Sequence, residues 1–87
     1  MQTAEQPAEH PIDRYIAKRK ETDLRFSKQA LAEEIGVSRN AIYRVMSGDD
    51  AVSTDLLEKI EAATGISSVE LFAAWKAARD QLKAAAN

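Results

Sequence analysis

Cysteine is absent from this 87-residue sequence, and histidine occurs once, at His10. Without cysteine the chain has no disulfide bond, no thiolate metal ligand and no cysteine nucleophile. A catalytic or metal-binding role for His10 would need partner side chains that the sequence does not supply. The three glycines are scattered, so they form no glycine-rich loop for a phosphate group. We therefore expect no metal, no cofactor and no enzymatic activity.

Long apolar runs are also missing, since no stretch approaches the roughly 18 apolar residues that a membrane span requires. Residues 1–10 are polar and lack the basic-then-apolar order of a signal peptide. The length of the chain suits one small domain. We expect a flexible tail over residues 1–10, a single domain over residues 11–87, and a soluble cytoplasmic protein without membrane contact.

Charge is unevenly distributed along the chain, although the net charge is only −2. Residues 12–48 hold eight basic and five acidic residues, a net +3, whereas residues 49–87 hold four basic and seven acidic residues, a net −3. A basic segment is compatible with a nucleic-acid partner, but charged runs are usually plain solvated surface. Charge alone therefore favours a nucleic-acid partner only modestly.

Serine marks the start of four predicted helices. Ser27, Ser38, Ser53 and Ser67 each stand where a side-chain hydroxyl can accept from a free backbone N–H of the first helical turn. A glycine follows three of the helical segments, as is typical of a left-handed C-terminal residue. The pattern predicts five helices and no strand, at about 12–21, Lys28–Ile35, Arg39–Ser47, about 54–64, and from Ser67 to about Ala84.

Apolar residues recur at helical spacing and predict which side chains form the core. Ala32 and Gly36 are small at the point where we expect the second and third helices to approach each other closely. The expected core side chains are Ile12, Tyr15, Ile16, Ala17, Leu24, Phe26, Leu31, Ile35, Val37, Ile42, Val45, Leu56, Leu57, Ile60, Ala63, Leu71 and Phe72.

Residues 27–48 contain two short predicted helices joined by a turn, and this pattern has two interpretations. One is an ordinary αα-hairpin within a helical domain, and the other is the helix-turn-helix of DNA-binding proteins. The outward side of the second helix carries Arg39, Asn40, Tyr43 and Arg44, whose side chains suit base edges and phosphates. This composition favours the DNA-binding interpretation.

The order of residues over about 12–75 resembles the phage repressor and Cro-like family, also called the xenobiotic-response-element type. The resemblance implies an all-α, compact five-helix domain of the lambda-repressor-like DNA-binding type, to which this chain adds an extended C-terminal helix. It also implies binding to double-stranded operator DNA, commonly as a dimer, with Arg39–Ser47 as the recognition helix. The segments that carry it are FSKQALAEEIGVSRNAIYRV at 26–45, LLEKIEAATGIS at 56–67 and ELF at 70–72.

Carried over by position, the resemblance implies a DNA-binding role for six residues. Two of them, Lys28 and Ser38, stand at helix starts and would contact phosphate, with a base edge as the alternative for Ser38. The other four would face base edges in the major groove, namely Arg39, Asn40, Tyr43 and Arg44. A partly buried packing role remains the alternative for Tyr43.

The chain departs from the family just after the recognition helix. Asp49 and Asp50 stand there, where members of the family often carry basic or neutral residues. Two carboxylates near the DNA would repel phosphate, although salt screens exposed charges over about 8–10 Å. This departure keeps a partner other than DNA under consideration.

The C-terminal helix carries an apolar stripe of Leu71, Trp75, Ala78 and Leu82. The helix either folds back over its own core or presents the stripe to a second molecule. We take Trp75 and Leu82 as candidate dimer contacts, since large aromatic side chains often anchor interfaces.

Two functions stay open. The first is a sequence-specific transcriptional regulator, a repressor that binds an inverted-repeat operator as a homodimer and so associates with the nucleoid. The second is a protein-binding module that uses the same fold on another protein, as an antiactivator or antitoxin-like partner. The acidic second half of the chain favours the second.

Overall fold

A computed structural model describes residues 10–48 and 51–86, and these residues form five α-helices and no strand. The second, third and fourth helices have the predicted bounds. The first begins and ends one residue earlier than predicted, and the last reaches two residues further. The helices are α1 (Pro11–Lys20), α2 (Lys28–Ile35), α3 (Arg39–Ser47), α4 (Thr54–Thr64) and α5 (Ser68–Ala86).

The serine residues cap four helices, as predicted. The hydroxyl oxygens of Ser27, Ser38 and Ser53 accept from backbone N–H groups three residues on, at 3.2, 3.2 and 3.1 Å. That of Ser67 accepts from Val69 N at 3.1 Å. Such caps are each worth about 0.5–2 kcal/mol, so helix starts are strongly specified by local sequence.

His10 caps α1, a role that sequence reasoning did not assign to it. Its Nδ1 atom accepts from the backbone N–H of Ile12 at 3.1 Å. Pro11 follows at the first helical position, where its missing N–H costs nothing. Residues 1–9 of the predicted tail lie outside the described residues.

The core lies where all five helices meet, and every helix contributes to it. Tyr15, Ile35, Val37 and Leu56 pack around it half-buried. Of the other predicted core positions, all but four are buried. The buried side chains are Ile12, Ile16, Phe26, Leu31, Ala32, Ile42, Val45, Leu57, Ile60 and Leu71.

Four predicted core residues are exposed instead: Ala17, Leu24, Ala63 and Phe72. Ala17 follows the buried Ile16 and lies beside the inward stripe of α1. Leu24 is 87% exposed because the α1–α2 connection is a tight turn, in which Phe26 N donates to Asp23 O and only Phe26 turns inward. Ala63 lies beside the inward stripe of α4 rather than on it. Phe72 is 47% exposed because its neighbour Leu71 takes the inward position, and consecutive helical residues point in different directions.

α1 is tied to α2 by Arg19. Its guanidinium donates to Tyr15 Oη at 2.7 Å and to both carboxylate oxygens of Glu34 at 3.1 and 2.8 Å. The same group lies 4.1 Å from the ring centroid of Phe26. The hydrogen bonds from Arg19 lower the pKa of Glu34. Arg19 therefore joins the two helices and covers the buried aromatic ring.

Gly48, rather than Gly36, is the glycine that lies against the backbone of another helix. At Gly36 an added Cβ atom would meet nothing within 4 Å, so the expectation that bulk there would push the helices apart is wrong, whereas Ala32 is buried as expected. Glycine is favoured at Gly36 by its backbone alone, since φ is +88°. At Gly48 an added Cβ would lie 2.5 Å from Arg79 N and 2.9 Å from Ala78 C. The end of α3 thus packs directly on the backbone of α5.

None of the helices within residues 10–48 and 51–86 combines the length and the apolar character needed to cross a membrane.

Candidate nucleic-acid interface

α3 separates its polar and apolar residues onto opposite faces. Ile42 and Val45 have no exposed area and belong to the core. The opposite side carries the first, second, fifth and sixth residues of the helix, which share one face. All four predicted base-edge residues are exposed there, namely Arg39, Asn40, Tyr43 and Arg44.

The angle between α2 and α3 is set by a short turn. Gly36 N and Val37 N both donate to Ala32 O, at 2.8 and 3.0 Å. Ser38 then caps α3, and Gly48 ends it in a left-handed conformation. The turn and the two caps therefore fix where α3 begins and ends.

Tyr43 lies between two cationic groups. Its ring centroid is 5.8 Å from Lys28 Nζ and 5.9 Å from the guanidinium carbon of Arg39. Both distances are within the range of cation–π attraction. Its side chain is 45% exposed, so Tyr43 is neither a core residue nor an isolated surface ring.

Lys28, at the first position of α2, lies next to an acidic residue of α1. Its Nζ is 3.5 Å from Asp13 Oδ1, and the two side chains are 31% and 39% exposed. Ser38 is exposed, and its hydroxyl oxygen already accepts from Ala41 N at 3.2 Å. Both predicted phosphate residues therefore make contacts within the protein itself.

A shallow groove joins the starts of α2 and α3 to the end of α1. It brings together two predicted DNA-contacting positions of α3 with Lys28, and it adds two further polar residues, one from the end of α1 and one from α2. These two, Lys20 and Gln29, are exposed, but no sequence signal says that they adjoin α3. The groove is lined by Ile16, Lys20, Ser27, Lys28, Gln29, Arg39 and Tyr43.

An acidic residue lies at the edge of this surface as well. Glu33 lines a neighbouring cleft together with Gln29 and Arg39. Asp49 and Asp50, the predicted acidic loop after α3, lie outside the described residues.

A family model described as "Helix-turn-helix" matches residues 16–71, which is more than half of the chain. The chain belongs to the helix-turn-helix family of the phage repressor and Cro type. This helix-turn-helix protein is accordingly a DNA-binding transcription regulator, of a family that is not normally enzymatic. No curated protein and no solved structure matched the chain.

Most of α5 lies beyond the family match, which ends at Leu71. Phe72 and Trp75 stack there with ring centroids 5.4 Å apart. The guanidinium carbon of Arg79 lies 5.5 Å from the Trp75 centroid, and Arg79 Nη1 donates to Gly48 O at 3.5 Å. Of the two candidate dimer contacts, Trp75 is half-buried and Leu82 is 44% exposed.

Within the residues that the structure describes, no group of three or more histidine, aspartate or glutamate side chains is arranged to hold a metal ion.

Proposed function

We propose that this helix-turn-helix protein is a repressor that reads operator DNA by inserting α3 into the major groove. The observation that carries the proposal is the division of α3, with Ile42 and Val45 fully buried and the polar face outward. A helix anchored this way can enter a groove about 12 Å wide without disturbing the core. Binding across a promoter would block transcription by occlusion.

Three side chains on the exposed face are assigned to base edges. Arg39 and Arg44 carry the planar fork that pairs with guanine O6 and N7, and Asn40 carries the amide that pairs with adenine N6 and N7. Tyr43 lies on the same face and supplies an apolar surface for a thymine methyl group or a sugar. Each good bidentate contact discriminates against a wrong base by about 1–3 kcal/mol.

Lys28 and Ser38 are assigned to phosphates. The Ser38 hydroxyl accepts from a backbone N–H with its oxygen, so its own proton is available to a phosphate oxygen. Lys28 stands at the start of α2, where the positive end of the helix also favours an anion. The two contacts would set the register of α3 on the duplex.

We further propose that the protein acts as a homodimer on an inverted repeat, in the cytoplasm and on the nucleoid. One α3 contacts only a few base pairs, whereas a two-fold dimer reads two half-sites about one helical turn apart. The exposed apolar side chains of α5 support this, since Val69 is 76% exposed and Leu82 is 44% exposed. Trp75 and Leu82 would lie in the dimer contact.

The same apolar face favours a second candidate function, a module that binds another protein. Val69 and Phe72 are large, exposed and on the helix beyond the family match. An antiactivator or antitoxin-like protein would use this face, with α3 serving as scaffold. Retention of a stoichiometric protein partner at about 0.1 M salt, without DNA retention, would favour this candidate over the first.

The test is a selection of duplexes from a random pool with the wild-type protein, followed by fluorescence-anisotropy titration. R39A and R44A should each weaken binding to the selected duplex by about 1–3 kcal/mol and relax the preference at one position. K59A is the matched control, because Lys59 is an exposed cation on α4, and its variant should keep the preference. Unchanged preference in R39A and R44A would reject α3 as the reading helix.

A further inference from the structure

The ion pair between Asp13 and Lys28 has a consequence for how tightly this protein holds DNA. We propose that Asp13 limits DNA affinity by competing with a DNA phosphate for the Lys28 ammonium group. The inference rests on the proposed function, because it assumes that Lys28 contacts phosphate. In this proposal Asp13, on α1, influences the affinity for DNA without contacting the DNA.

The ammonium group of Lys28 lies beside Asp13 and also beside the face of α3 that we assign to DNA. Lys28 Nζ lies 3.5 Å from Asp13 Oδ1 and 5.8 Å from the ring centroid of Tyr43 on α3. It therefore stands between α1 and the exposed face of α3, in the groove that also holds Arg39. The Lys28 side chain is 31% exposed, so solvent and a phosphate oxygen can both reach its ammonium group.

Helix electrostatics explain why Lys28 needs an anion. Lys28 is the first residue of α2, and a cation at the positive end of a helix is unfavourable. Asp13 stands in the first turn of α1, where a carboxylate is favourable. In the free protein Asp13 thus supplies the negative charge that the start of α2 prefers. In the complex a phosphate would supply the same charge.

The competition would act equally on all DNA sequences. Phosphate contacts do not depend on the base sequence. A lysine that is released from a carboxylate therefore increases the affinity for every duplex to the same extent. Asp13 would therefore lower affinity for operator and unrelated DNA by the same factor. The preference between sequences, which belongs to base contacts, would stay unchanged.

A second ion pair in the chain offers a matched control. Lys59 Nζ also lies 3.5 Å from a carboxylate oxygen, that of Asp55, and both residues are on α4. Neither lines the groove at the starts of α2 and α3. D55N therefore removes the same charge and breaks a pair of the same length, away from the proposed DNA contacts.

The experiment measures dissociation constants of four variants by fluorescence anisotropy at about 0.1 M salt. The variants are D13N, D55N, K28M and D13N/K28M, each tested on a duplex selected by the wild-type protein and on an unrelated duplex. D13N should tighten binding to both duplexes by about two- to fivefold, the range of an exposed ion pair. D55N should change it by less than about 1.5-fold. In the K28M background, D13N should match K28M alone.

Three results would contradict the inference. D13N could tighten binding no more than D55N, or its effect could persist in the K28M background, which would make it a plain net-charge effect. D13N could instead weaken binding. In each case the wild-type protein still binds DNA, and only the role of Asp13 is lost. If the wild-type protein binds neither duplex at low salt, the proposed function itself fails and takes the inference with it. Melting curves of the four variants verify that each is folded.

Discussion

The exposed faces of α3 and α5 differ in chemistry. α3 turns two arginines and an asparagine to solvent, with Tyr43 between cations. α5 turns Val69, Phe72 and Leu82 to solvent, and stacks Phe72 on Trp75. The first face suits the polar edges of base pairs, whereas the second suits the apolar surface of a protein. One small domain thus exposes two faces of different chemistry.

The two helices are also joined directly, at Gly48. The backbone of α5 at Ala78 and Arg79 leaves no room for a side chain at the end of α3. The segment of α5 beyond the family match therefore helps to hold α3 in place. The contact between Gly48 and α5 is therefore the first feature to test.

The largest expected effect is that of G48A on stability. Its Cβ would clash with Arg79 N at 2.5 Å, and φ at this position is +75°. Left-handed backbone costs a non-glycine residue about 1–2 kcal/mol, and overpacking about 1–3 kcal/mol more, so we expect a loss of about 2–5 kcal/mol. Urea denaturation followed by circular dichroism measures this loss.

G36A is the matched control, because φ is +88° there and an added Cβ meets nothing within 4 Å. It should lose only about 1–2 kcal/mol. Equal losses in the two variants would show that α3 does not depend on contact with α5.

The second-largest expected effect is on the oligomeric state, which tests the apolar face of α5. A glutamate in L82E would be buried without a partner in the proposed dimer, so we expect its dissociation constant to rise at least about tenfold. Sedimentation equilibrium measures it. L24E is the control, since Leu24 is also an exposed leucine, at 87%, but lies between α1 and α2. A monomeric wild-type protein, or equal weakening by L24E, would remove α5 from the dimer.

The smallest expected effect is on the pH dependence of stability, and it concerns His10 at the N-terminal end of α1. Burial lowers the pKa of His10 below its ordinary value of 6.5, with Asp13 opposing the shift. Nδ1 accepts from Ile12 N, and Nε2 is buried with no partner among the described residues. Protonation would remove the cap and charge a half-buried ring.

His10 has a lower pKa in the folded chain than in the unfolded chain. Because the folded-state pKa is the lower one, the unfolded chain takes up the proton first as pH falls below 6.5. Stability from His10 is therefore present above pH 6.5 and is lost as pH falls through the lowered pKa. H10N keeps a capping side chain without titrating, so its stability should change less between about pH 7 and 5. Identical pH profiles for both proteins would contradict this role.

Local sequence signals were sufficient for most of the fold. Ser27, Ser38 and Ser53 fix the starts of three helices, and the glycines after them fix the ends, so those bounds could be predicted closely. The exposed side of α3 followed from the same periodicity. These features depend on residues within one turn of each other.

What sequence reasoning missed depends on contacts between distant parts of the chain. The steric role of Gly48 requires α5, and the ion pair of Lys28 requires Asp13 on another helix. Helical periodicity locates a face but does not say which other helix adjoins it. The groove around Tyr43 therefore became visible only in three dimensions.

The most direct test of the central claim is an NMR titration of the labelled wild-type protein with its selected duplex. If α3 reads the DNA, the amide signals of residues 38–47 and of residues 27–29 should shift most, and those of α5 beyond Ala78 should shift little. Shifts confined to residues 69–86, with the signals of α3 unmoved, would contradict the account.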